Sequence, residues 1–381
     1  MGRLKLKTNV ILILVFLVQN LFGQIYQFKE YSIEEGLSHP FVYTVSEDND
    51  GFIWIGTGEG LCKFDGFEFK VSEEDDSLTS GFVSSSYLDS KGMLWFGHNS
   101  GEVTYYDGIE FKLLDLAKEF NSTITDISED EQGAVYIASQ SSGLIRVDKD
   151  FKVAIFSDEF TDNLIYSILP VGDFQFLIGT GDGLALYTLK QNQFIQDYSV
   201  EELEYISIQS INKSHDSKSF WVGTEDSGFY LFKSKDENFE SYEIINMGKK
   251  YDLAYDNVQS VFEDNENVVW ISTSGKGVFK LIPEDNTEFN YSKVVHYSTL
   301  NGLSDNFVKT VFQDWEGNFW IATYGKGIAF LVDETFTMHY QNIDEFNGNI
   351  LSIAESKDFL WYGVSTKTLN IVEGRLYDNE R

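Results

Sequence analysis

Short apolar runs recur along the chain, each closed by a polar or glycine-bearing turn, and the helical spacing of apolar residues is absent from the units they form. In the first unit Phe41-Val42-Tyr43-Thr44-Val45 is rich in β-branched and aromatic residues, and Glu47-Asp48-Asn49-Asp50-Gly51 supplies turn chemistry. Phe52-Ile53-Trp54-Ile55 forms a second run, Gly58-Glu59-Gly60 a second turn, and Leu61-Cys62-Lys63-Phe64 a third run. Asp65-Gly66 turns again before Phe67-Glu68-Phe69-Lys70-Val71, which alternates as a half-exposed edge strand does. The first two runs are apolar without alternation, so both of their faces are expected to be buried. Four strands joined by tight turns, then repeated, predict an all-β propeller of four-stranded antiparallel blades.

The repeat is explicit once the aromatic–apolar–small triplet is followed. Its anchors are Trp54, Trp95, Tyr136, Leu177, Trp221, Trp270, Trp320 and Trp361, at spacings of 41, 41, 41, 44, 49, 50 and 41 residues. Periods of this size built from strands indicate a blade array rather than independent domains. Two residues past the anchors stand Gly56, Gly97, Ala138, Gly179, Gly223, Ser272, Ala322 and Gly363, all small. A larger side chain there is expected to strike the adjacent blade or its aromatic, so that knob and gap recur together. Gly60, Gly101, Gly143, Gly183, Gly228, Gly277 and Gly327 lie six or seven residues past their anchors, where a second hairpin needs positive φ. No helix follows them, so a phosphate cradle is disfavoured.

The first residues read differently. Arg3, Lys5 and Lys7 precede an apolar run from Val10 to Val18, and residues 1–23 are expected to be a secretory signal peptide cut after Gly23. The run is too short to span a bilayer comfortably, and no second apolar span appears. The product is expected to be exported, to the periplasm or the cell surface. The net charge of −33 repels phosphate backbones and anionic membranes, which disfavours nucleic acid as a partner. Cys62 is the only cysteine, so no intrachain disulfide forms, and its strand position points to a buried inert thiol.

These residues resemble the two-component regulator propeller family, found in exported sensor regions of bacterial hybrid histidine kinases. The family's repeat opens with Gly-Leu-Ser, passes through an Asp-x-x-Gly turn, and reaches Trp-Ile-Gly-Thr with Gly-Leu. Here the first copy runs from Gly36-Leu37-Ser38 through Asp48-Asn49-Asp50-Gly51 to Trp54-Ile55-Gly56-Thr57 and Gly60-Leu61. The seventh runs from Gly302-Leu303-Ser304 through Asp314-Trp315-Glu316-Gly317 to Trp320-Ile321-Ala322-Thr323 and Gly327-Ile328. The resemblance implies two consecutive seven-bladed propellers, a β-sandwich, a transmembrane helix and a kinase in the parent protein. It places this chain at the signal peptide, the first propeller and the opening of the second, with no kinase motif of its own.

Tyr26-Gln27-Phe28-Lys29-Glu30-Tyr31 reads as the fourth strand of a blade whose other strands lie elsewhere. Lent to the seventh unit, it closes a seven-bladed ring over residues 24–335 and leaves residues 336–381, from Phe336 onward, as an eighth repeat starting a second propeller. Lent to the eighth, it closes one eight-bladed ring. Seven blades is the preferred reading.

Chemistry is harder to find. His39, His98, His215, His296 and His339 are scattered and form no metal spacing, so neither a metal nor a cofactor is expected. Asp48-Asn49-Asp50-Gly51 lacks the distal glutamate of a calcium loop and reads better as a hairpin turn. No nucleophile motif accompanies a base. His39 and Asp305 occupy one phase of neighbouring units in a seven-bladed ring and are a candidate pair. Asn99, Gln140, Glu225 and Tyr324 follow their anchor strands and vary where the residues before them are uniform, as specificity loops do. Trp315 is the only tryptophan outside the anchor phase; it offers a stacking surface for a sugar or packs on a neighbouring loop. The expected function is extracytoplasmic ligand recognition, with oligosaccharides as the class the resemblance implies and downstream sensor domains as partners. The acidic surface favours neutral or cationic ligands over polyanions. A protein-docking scaffold and a propeller lyase or hydrolase are the alternatives.

Overall fold

The computed structural model describes residues 25–71, 81–116, 120–157, 159–160, 162–236, 238–284, 289–331, 337–338, 349–356, 359–365 and 371–375. The expected signal peptide, Phe336 and His339 lie outside them.

Seven four-stranded antiparallel sheets form a β-propeller. Blade 1 comprises Val42–Glu47, Ile53–Thr57, Gly60–Phe64 and Phe69–Val71. Blades 2 to 6 repeat the order from the axis outward over residues 83–113, 124–156, 165–199, 208–246 and 258–297. Blade 7 takes three strands from Val308–Gln313, Phe319–Thr323 and Ile328–Leu331, and its fourth from Lys29–Tyr31. Lys29 pairs with Phe330, Glu30 with Ala329 and Tyr31 with Ile328. The innermost strands pack each against the next, and the seventh against the first. The N-terminal segment thus closes a ring of seven blades and occupies what would be an open sheet edge. The eight-bladed alternative is excluded. A separate three-stranded antiparallel sheet, Asn349–Ser356, Phe359–Ser365 and Ile371–Arg375, carries the eighth repeat, with Trp361 in its middle strand.

The interior follows from the triplet. Trp54, Trp95, Tyr136, Leu177, Trp221, Trp270 and Trp320 are all buried, each a large apolar contribution to the packing between sheets. The small residue two positions on faces the next blade. A Cβ on Gly56 would lie 2.8 Å from Val83 Cγ1, and one on Gly97 2.3 Å from Ile124 Cγ2. The obstacles are the first apolar residue of the neighbouring inner strand and the paired residue of the blade's own inner strand, Thr44 Cγ2 at 2.5 Å from the Gly56 position and Ser85 Oγ at 2.4 Å from that of Gly97. Gly143 illustrates the hairpin glycines: its φ is 87°, and a Cβ there would meet the Phe156 carbonyl.

One element of this interior connects residues that spacing alone leaves apart. Six positions before the anchor, Asp48 accepts the Trp54 indole N–H at 2.7 Å, and Asp89, Asp264 and Asp314 do the same for Trp95, Trp270 and Trp320 at 2.9, 2.8 and 2.8 Å. Asp130 accepts the Tyr136 hydroxyl at 3.0 Å. The other oxygen of Asp48 accepts the backbone N–H groups of Asp50 and Phe52, each at 3.0 Å. The acidic turn is thus a hairpin cap welded to the buried indole, in agreement with the turn reading and not with a calcium loop.

Candidate functional site

Each inner strand begins with a β-branched residue, then breaks register for one residue. The shift falls between Val42 and Thr44, Val83 and Ser85, Ile124 and Asp126, Ile165 and Ser167, Ile208 and Ser210, Val258 and Ser260, and Val308 and Thr310. A bulge leaves its extra residue outside the ladder and re-aims the side chain. Seven bulges at one level therefore surround the axis with Tyr43, Ser84, Thr125, Tyr166, Gln209, Gln259 and Lys309. Their contacts fit that placement. Ser84 Oγ donates to the Ile124 carbonyl at 2.6 Å, and Thr125 Oγ1 to the Ile165 carbonyl at 2.8 Å, stitching one inner strand to the next. Lys309 Nζ donates to Gln259 Oε1 at 3.3 Å.

Asp126 stands one position beyond a bulge, where the other blades carry Thr44, Ser85, Ser167, Ser210, Ser260 and Thr310. It accepts the Ser167 hydroxyl at 2.7 Å and the N–H groups of Ile168 and Ile127, each at 2.9 Å. Burial nevertheless pushes its carboxyl up to about 6, against the opposing pull of these bonds and of Lys309. Burial also lowers the Lys309 ammonium, which Asp126 partly restores. Blades 3 and 7 are not neighbours in the ring, so this coupling acts across the axis.

At the end of the ring where the inner strands start, the loops entering each blade meet the turns between second and third strands. Gly58, Asn99, Gln140, Gly181, Glu225, Ser274 and Tyr324 donate their N–H groups to the carbonyls of Phe41, Phe82, Thr123, Leu164, Ser207, Asn257 and Phe307. Asn99, Gln140, Glu225 and Tyr324 consequently share one rim, with the first three side chains exposed. His39 and Asp305 lie on the same rim. Each is engaged with its own loop, His39 Nδ1 accepting the Phe41 N–H at 3.2 Å and Asp305 Oδ1 the Phe307 N–H at 3.1 Å. They perform the same local capping in neighbouring units, and no hydrogen bond or ion pair joins them among the described residues. Trp315 does not belong to this group. It sits in the hairpin at the opposite end of the inner strand, 62% exposed, with its N–H held by Glu47 Oε2 of blade 1 at 2.8 Å.

The rim also carries aromatic residues that the motif reading missed. Tyr324 packs edge-on to Tyr43 at 5.3 Å between centroids, and Tyr43 lies 4.1 Å from Phe82. The Tyr324 hydroxyl is pushed up to about 12 by burial and by Tyr43. Phe41 rests over Gly325, whose added Cβ would lie 3.3 Å from the ring, and Phe307 lies over Gly275 in the same way. Phe41 and Phe307 remain 42% and 51% exposed. The signal was present in the sequence: the residue before the inner strand is Phe in blades 7, 1 and 2, which adjoin only because the ring closes, and Thr, Leu, Ser or Asn in the rest.

The remaining candidates are structural in their contacts. Cys62 is fully buried against Ser38, its thiol pushed up by burial. His98 is buried with Nε2 2.9 Å from Thr104 Oγ1, His215 lies 3.4 Å from Glu263, and His296 stacks on Phe279 at 4.1 Å. Among the described residues no group of three or more His, Cys, Asp or Glu side chains is arranged to hold a metal ion.

The model of the two-component regulator propeller family matches residues 36–59 and 252–275. No curated protein matches the chain. Among solved structures, the extracellular domain of BT3049 from B. thetaiotaomicron, assigned to a hybrid two-component system, is 22% identical with a TM-score of 0.69, covering 92% of this chain and 49% of that one. The extracellular domain of BT4673 from the same organism is 18% identical with a TM-score of 0.62, covering 94% and 48%. Streptogramin B lyase is 13% identical with a TM-score of 0.60, covering 80% and 97%. The chain spans about half the length of the two extracellular domains, and at these identities the likeness establishes the fold. Signature residues at two separate units and a ring shared with such domains agree: the chain is a seven-bladed propeller that resembles the two-component regulator propeller family at two of its units.

Proposed function

We propose that the ring is an exported ligand-sensing module, the input part of a two-component system, and that it binds an oligosaccharide on the rim of blades 7, 1 and 2. The observation that carries this reading is the arc of Phe307, Tyr324, Phe41, Tyr43 and Phe82 at the mouth of the axis. Partly exposed rings of this kind offer flat apolar faces on which a sugar ring packs, while Asn99, Asp305 and the loop carbonyls supply hydrogen-bond partners. The eighth repeat then begins a second propeller, and a packing change in the first passes to it and to later domains. No reaction is assigned to the module, since the rim couples no nucleophile to a base.

A glycan array probed with the purified chain, followed by calorimetry on the hits, tests the proposal. Binding that falls at least tenfold in Tyr324→Ala or Phe41→Ala, with the melting temperature retained, supports it. Saccharide binding unaffected by both substitutions, or turnover of the bound sugar, overturns it.

A further inference from the structure

The bulge ring contains one cation. Lys309 stands next to Tyr43 in that ring, because blade 7 adjoins blade 1, and Tyr43 is the inner edge of the aromatic arc. An ammonium has three N–H donors. Among the described residues its one protein acceptor is Gln259 Oε1, at 3.3 Å, a long contact. Asp126 faces it from across the axis, beyond ion-pair distance, and is already engaged by Ser167, Ile168 and Ile127. A half-buried ammonium with donors to spare favours an acceptor that can reach it. Of the other bulge residues, Ser84 and Thr125 are spent on neighbouring carbonyls, Gln209 Nε2 donates to Ser207 Oγ at 3.2 Å, and Tyr43 packs between Phe82 and Tyr324.

We infer that Lys309 is an axial anion site and that the ligand of the aromatic rim carries one carboxylate, as a sugar ending in a uronate does. This rests on the saccharide reading above and specifies its ligand class. The ring of the sugar packs on Tyr324, Tyr43 and Phe41, and its carboxylate turns down the axis to accept from Lys309 Nζ. Selectivity for a single carboxylate follows from the rest of the molecule. A net charge of −33 repels a polyanion most strongly, whereas a single carboxylate meets far less repulsion and one ammonium suffices to pair with it. Gln259 holds the lysine side chain in place without neutralising it.

The experiment compares two disaccharides differing only in this group, cellobiouronate, with one terminal glucuronate, and cellobiose, by calorimetry on the full chain. Charge-assisted hydrogen bonding predicts that the carboxylated sugar binds at least about tenfold tighter. Lys309→Met is expected to bring the ratio of the two affinities to about one. If that variant does not fold, Gln259→Glu places a competing carboxylate beside the ammonium and is expected to do the same. Equal affinities in the native protein, or a preference that survives both variants, overturn the inference and leave the neutral-saccharide reading standing. If neither sugar binds, the saccharide reading falls, and acetate reads the axial site by itself. Thermal stabilisation by acetate that depends on Lys309 upholds the anion site, and its absence sinks it.

Discussion

Blades 1 and 5 solve the same problem with different residues. In blade 1 the buried indole of Trp54 donates to Asp48, six residues earlier in its own hairpin. Blade 5 has His215 at that position, and the Trp221 indole donates instead to Glu263 of blade 6 at 2.8 Å. The same carboxylate oxygen accepts the Ser214 hydroxyl at 2.6 Å. Blade 4 completes the comparison: its anchor is Leu177, whose side chain carries no donor, and Val171 replaces the acid. What the fold requires is an acceptor wherever the wedge between blades carries a donor, since an unpaired buried N–H is expensive. The acceptor's place in the sequence is free.

Removing the acceptor in blade 1 is the most severe way to break this comparison. Asp48→Val strands the indole N–H together with the N–H groups of Asp50 and Phe52, at an expected cost of about 3 kcal/mol in urea unfolding. The double variant Asp48→Val with Trp54→Leu copies blade 4 and is expected to recover about 1–2 kcal/mol of the summed cost, as coupled sites do. Recovery is incomplete because the turn caps are still lost. Blade 4 avoids them with a tighter hairpin, in which Gly172 pairs with Gln175. Strict additivity of the two substitutions would show that the indole bond contributes nothing of its own.

Glu263→Ala applies the same test to blade 5 and is expected to cost about 2 kcal/mol, less than Asp48→Val because no backbone cap depends on it. Glu263→Gln keeps an acceptor oxygen and is expected to lose less than half as much. A second expectation separates the two regions. Glu263 ties blade 6 to blade 5, so its loss should raise hydrogen exchange in both, whereas Asp48→Val should raise it first in blade 1. Exchange confined to blade 6 would contradict the bridging role.

The comparison also marks what a sequence reader can reach. Blade number, closure by Lys29–Tyr31 and the knob-and-gap interior were legible because each rests on a residue type at a fixed period. The Asp–Trp bond was half legible: the aspartates stand at a constant offset, but a turn explains an aspartate equally well until the indole is seen beside it. The axial ring was not legible. A bulge is a property of register between two strands, and nothing in Val308-Lys309-Thr310 distinguishes an axial lysine from an exposed edge one. Asp126 was hidden for the same reason, as one more polar residue after an apolar start. The candidates Asn99, Gln140, Glu225 and Tyr324 were placed on one rim by phase alone, while the arc of Phe307, Phe41 and Phe82 needed the ring closed before its members became neighbours.

The smallest expected effect belongs to the two tryptophans of blade 7, which differ in what surrounds them. Trp320 is 2% exposed and bonded to Asp314, while Trp315, five residues earlier, is 62% exposed, and among the described residues its one hydrogen bond runs from its backbone N–H to Glu47. Glu47 holds that N–H whatever side chain follows it, so Trp315→Ala keeps the link between blades 7 and 1. Its stability is expected to change by no more than about 0.5 kcal/mol. Trp315 also lies at the far end of the inner strand from Tyr324, so ligand affinity at the aromatic rim should be unaltered. Calorimetry and urea unfolding of this one variant therefore probe both placements. A large loss of stability would mean that the indole packs on blade 1, and a loss of affinity would move the binding face to the opposite side of the ring.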